Sequence, residues 1–133
     1  MEEDHYDAFE SFIKSFINGP LRDRWLSIIG FGHKRWKKLD PYDLWGKSSS
    51  GMSLSYSYPK SLDHLLVDCI HKGYGNKEVY IAYFGHAGGQ YKKLSFIAAM
   101  DKAHIPLEGL IFLDPERLVI CFTHEGEIRV FCQ

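Results

Sequence analysis

Apolar side chains recur at steps of three and four along residues 6–18, YDAFESFIKSFIN. Phe9, Phe12, Ile13, Phe16 and Ile17 fall on one helical face, and Glu10, Ser11, Lys14 and Ser15 on the other. Asn18-Gly19-Pro20 ends the pattern, because proline lacks a donor and glycine accepts a left-handed cap. Pro20 suits the first position of a second helix, LRDRWLSII, whose Leu21, Trp25, Ile28 and Ile29 face the first. Gly30 and Gly32 stop it, so the spacing predicts a pair of short antiparallel helices.

The pattern then weakens. Asp40-Pro41-Tyr42-Asp43-Leu44-Trp45-Gly46 reads as a helical turn, and 47–58 (KSSSGMSLSYSY) as a connection with a short extended piece over 52–58. Ser61 is placed to cap a helix over 61–72 that Gly73 ends, with Leu62, Leu65, Leu66, Cys69 and Ile70 inward. KEVYIAYF (77–84) alternates as a strand that can be buried on both faces. LSFIAAMDKA (94–103) predicts a short helix with Leu94, Ile97, Ala98 and Asp101 on successive turns. Three strand runs close the chain, at 109–113, 118–123 and 128–132.

A two-residue Glu125-Gly126 loop pairs Cys121 with Val130 and Phe122 with Arg129. It also puts Cys121 and Cys132 on one face. The fold class this predicts is α+β: an antiparallel β-meander packed with helices, preceded by an N-terminal helical pair. The 77–84 strand stands at an edge or inserted beside the meander. One domain spans 1–133, with a helical part (6–47), a connection (48–60) and a helix-and-sheet part (61–133).

Composition narrows the function classes. A chain of 133 residues with 45% hydrophobic residues buries about two-thirds of its unfolded surface, so its core needs no metal or disulfide. The formal charge of −1 gives no global attraction to nucleic acid or an anionic membrane. Cys69, Cys121 and Cys132 form neither a disulfide framework nor a paired metal knuckle. With no secretory pattern at the start and no apolar run of membrane length, the expected compartment is the cytoplasm.

Candidate chemistry is sparse. His33-Lys34-Arg35-Trp36-Lys37-Lys38 is the one concentrated basic patch. It could bind phosphates with the indole stacking on a base, match an acidic protein surface, or dock Trp36 and Leu39 on the core while the lysines reach water. His64, Asp68 and His71 share a helical face on which nitrogen and carboxylate ligands could hold zinc or iron, but the spacing is generic and a polar outer face is the simpler explanation. Gly85-His86-Ala87-Gly88-Gly89 matches no full phosphate-binding glycine signature. His124, Glu125, Glu127 and Arg129 gather near one hairpin end. They are the preferred place for a small hydrolase or nuclease site if there is one, and a polar hairpin with cross-strand charge pairs is the simpler reading. No cofactor is implied, and the absence of a catalytic signature favours a binding protein over an enzyme.

The order FESFIKSFINGPLRDRWLSII, HKRWKKLDPYDLW, LDHLLVDCIHKG, VYIAYF, LSFIAAM and GLIFLDPERLVICFTHEGEIRVFC resembles small bacterial immunity proteins of contact-dependent growth inhibition toxin systems, over about residues 7–132. The resemblance implies a mixed α/β protein that binds a toxin domain made by the same cell and blocks its active site. Inhibitors of basic nuclease toxins are often acidic, and this chain departs from that with a near-zero charge. The contact surface expected on this reading is Asp40, Tyr42, Asp43 and Trp45, with Asp114, Glu116, Glu125 and Glu127 as a second patch. Their carboxylates would meet toxin Arg or Lys while the aromatics supply desolvated contact.

Overall fold

The computed structural model describes residues 6–17, 19–40, 55–56, 62–84, 89–102, 108–123 and 128–132. They form an α+β fold in three layers. Helices α1 (Asp7–Phe16) and α2 (Gly19–Gly30) are followed by a 3-10 turn, His33–Lys38. Strand β1 (Ser55–Tyr56), helix α3 (Leu62–His71), β2 (Glu78–Phe84), β3 (Gln90–Ser95) and helix α4 (Phe96–Lys102) come next. Then follow β4 (Glu108–Asp114), β5 (Leu118–Phe122) and β6 (Ile128–Cys132). The sheet has the order β1-β6-β5-β4-β2-β3, antiparallel throughout, so β2 is an inner strand between β4 and β3.

Strand alternation divides the core in two. Ala82, Phe84, Leu110, Phe112, Val119, Cys121 and Phe131 point to the face covered by α1, α2 and the 3-10 turn. Val79, Ile81, Tyr83, Ile111, Leu113, Ile120, Phe122, Ile128 and Val130 point to the face covered by α3 and α4. The inner strands are therefore apolar on both sides, as a sheet between two helical layers requires.

Phe9 centres the first layer, with ring centroids 5.2 Å from Trp36, 5.4 Å from Phe112 and 6.2 Å from Trp25. Trp36 and Leu39 are buried and Lys37 and Lys38 exposed, which is the docked arrangement and excludes Trp36 as a free stacking platform. Helix α3 ends in a Schellman motif: the Tyr74 amide donates to Cys69 O at 3.1 Å and the Gly73 amide to Ile70 O at 2.9 Å. Gly73 holds φ +98°. No helix among the described residues is long and apolar enough to cross a membrane.

Three expectations need correction. Leu94 and Ser95 belong to β3, an edge strand that the 94–103 helix expectation had absorbed. The Ser95 hydroxyl accepts the Ala98 amide at 3.1 Å, capping α4 so that it starts at Phe96. Phe96, Ala99 and Met100 then face the core, while Ile97 is 42% exposed. In α3, Leu65 and Cys69 are buried but Ile70 is also 42% exposed.

The β5–β6 register is one residue from the expected one. Cys121 pairs with Arg129, Ile120 with Val130 and Leu118 with Cys132, placing Cys121 and Cys132 at positions of opposite parity. Both strands are apolar at successive positions, so alternation gave no purchase on register.

Candidate functional site

The expected contact residues fall into three groups. Asp40 is exposed just after the buried Leu39. Tyr42, Asp43, Trp45, Glu125 and Glu127 lie outside the described residues, as does His124. Asp114 and Glu116 form the β4–β5 turn, where Asp114 Oδ1 accepts the Glu116 amide at 3.3 Å and Asp114 O accepts the Arg117 amide at 2.9 Å. Asp114 also acts on Tyr74, whose hydroxyl is pushed upward first by burial and then by this carboxylate.

Of the second patch, Asp114 and Glu116 alone are among the described residues. Thr123 and Ile128, which flank 124–127, stand at the opposite end of β5 from Asp114 and Glu116. Five strand residues separate the two ends, roughly 15 Å.

At the Asp114 end the fold builds a groove that the sequence did not reveal. Its walls are Asp7, Ala8 and Ser11 from α1, Glu78 and Tyr80 from β2, and Pro115 from the turn, around about 330 Å³. Val79, Phe112 and Leu113 also line it, the Phe112 side chain pointing to this face of the sheet and those of Val79 and Leu113 to the other. Asp7 and Ser11 meet here because they sit four residues apart on the outward face of α1.

Tyr80 is 37% exposed and stacks on Tyr91, centroids 5.0 Å apart and planes at 8°. Lys93, the cross-strand partner of Tyr80, places its Nζ 5.8 Å from the Tyr80 ring centroid and 3.5 Å from Glu78 Oε1. Both members of that ion pair are more than half exposed, so it is a weak, displaceable contact. Two carboxylates, a half-open aromatic ring and an apolar floor suit a cationic side chain from another protein.

Of the His64, Asp68 and His71 set on helix α3, Asp68 pairs with Lys72 at 3.4 Å and His71 is exposed, and the His64 side chain is outside the described residues. Among the described residues no group of three His, Cys, Asp or Glu is placed to hold a metal ion. Of the hairpin-end candidates only Arg129 is described, half-buried in β6 opposite Cys121. Comparison with protein-family models, with curated proteins and with solved structures finds no match.

Proposed function

We propose that this chain is a non-enzymatic binding protein, an immunity protein that neutralises a bacterial toxin domain in the cytoplasm of the cell that makes both. Inhibition of this kind needs exclusion of substrate and no turnover, so a rigid surface is the whole requirement. The observation that carries the reading is the groove at the Asp114 end of the sheet. There Asp7 and Glu78 flank the exposed ring of Tyr80 over an apolar floor.

An Arg or Lys of a basic toxin surface can lie across Tyr80 between the two carboxylates, and the neighbouring apolar surface excludes water around it. Nine residues line the groove, against roughly 20–30 on each side of a standard interface, so the toxin covers its rim as well, including the Asp114–Arg117 turn. A near-zero net charge is compatible with this, because orientation is set by the local field at the contact.

The test is co-expression with the product of the adjacent upstream gene. A stable complex in which the toxin has lost its activity is expected, and a Glu78→Lys, Asp7→Lys double variant releases it. An isolated chain that hydrolyses a small substrate, with no binding to that product, removes the reading.

A further inference from the structure

A second groove, between α2 and the 3-10 turn, carries the opposite charge. Arg24, Ser27 and Ile28 of α2, Phe31 after it, and Arg35 and Lys38 of the turn surround about 300 Å³. Local geometry explains the assembly. Positions 24, 27, 28 and 31 follow one helical stripe. In a helix of three residues per turn, Arg35 eclipses Lys38, while Trp36 and Leu39 fall together on the buried side. Phe31 is 69% exposed, an apolar ring left in water between cations. The Arg35 guanidinium stands 5.2 Å from its centroid.

We infer that this groove binds an acidic peptide segment of a partner protein that carries an apolar side chain between its carboxylates. Arg24, Arg35 and Lys38 supply the cations, and Phe31 with Ile28 supplies the apolar contact. Arg and aromatic residues together are the side chains that concentrate binding energy at protein interfaces. A single-stranded nucleic acid fits less well. Arg35 already takes one face of the only exposed ring in the groove, Trp36 is buried, and the net charge of −1 gives no long-range pull on a polyanion. The groove shares no lining residue with the one around Tyr80, so this inference stands apart from the toxin-binding reading.

The experiment is fluorescence anisotropy of the full chain with two labelled probes: a short peptide of Glu and Asp interspersed with Leu and Phe, and an oligothymidylate. Saturable peptide binding is expected, weakened about tenfold by Phe31→Ala and at least as much by Arg35→Glu. Rising salt weakens it further, and Asp101→Ala, at an exposed carboxylate of α4 outside both grooves, leaves it unchanged. Circular dichroism melting checks that the variants remain folded, which the exposure of both side chains favours. Absence of peptide binding, peptide binding indifferent to Phe31 and Arg35, or tighter oligothymidylate binding lost in the same variants each overturns the inference.

Discussion

The hydroxyl of Tyr91 accepts the backbone amide of Ala8 at 3.1 Å, joining the edge strand β3 to the first turn of α1 across 83 positions of sequence. Tyr6, the residue preceding α1, makes no side-chain cap bond, so a distant phenol does the work of a local cap. Tyr91→Phe keeps the ring contacts with Tyr6 and Tyr80 and removes only this acceptor. A loss of about 1 kcal/mol is expected, read as a shift in the urea midpoint at unchanged slope.

The same phenol predicts alkaline instability. Burial pushes Tyr91 up to about 12, against the opposing effect of the Ala8 amide, and burial pushes the Cys69 thiol up to about 11. Their ordinary values are 10.0 and 9.0. The folded chain therefore keeps protons that the unfolded chain releases as pH climbs above the ordinary values. Stability is whole below about pH 9, then falls as pH rises through 9 to 11 for Cys69 and 10 to 12 for Tyr91. Urea midpoints measured across that window should decline, with Cys69→Ala flattening its lower part and Tyr91→Phe its upper part.

Gly109 marks a close approach inside the sheet. A Cβ there would run into the Ala82 carbonyl oxygen of β2 and stand 2.8 Å from Cζ of Phe122. The first obstacle is paired backbone and cannot turn away. Gly109→Ala should cost about 3 kcal/mol, visible as a lowered thermal midpoint, even though alanine is a better strand residue elsewhere.

Within the basic segment, structural and surface roles separate by residue. Trp36 is fully buried against Tyr6 and Phe9, at 5.2 Å from each ring. Trp36→Ala should cost about 4 kcal/mol, whereas Lys37→Ala and Lys38→Ala should leave thermal stability unchanged within about 0.5 kcal/mol. Equal losses at all three would contradict the docked position of the indole.

What the sequence disclosed follows from where periodicity is strong. The apolar stripe of Phe9, Phe12, Ile13 and Phe16 appears as written, and Gly73 stops α3 as a left-handed cap must. Strand β3 escaped because its pattern, QYKKLS, is the solvent-exposed edge of a sheet, where lysines guard against pairing with other chains. The β5–β6 register escaped because two apolar faces remove the contrast that fixes it. The groove around Tyr80 joins Asp7, Glu78 and Pro115, side chains with no shared local motif. Only the packing of α1 across the end of the sheet brings them together.

Lys93 gives the sharpest prediction for that groove. Its ammonium lies over the Tyr80 ring and against Glu78, the place that an incoming cation would take. A partner must displace it, and the exposed pair costs little to break. Lys93→Ala should therefore strengthen binding of the proposed toxin partner a few-fold, by removing the competitor and leaving Glu78 fully available. Tyr80→Ala should weaken binding about tenfold, as loss of an aromatic anchor does. Surface plasmon resonance on the purified pair separates the two, since neither exposed side chain carries the core. Opposite signs at these neighbouring positions are the signature of a cation-binding groove, and equal weakening at both would mean that Lys93 itself makes the contact.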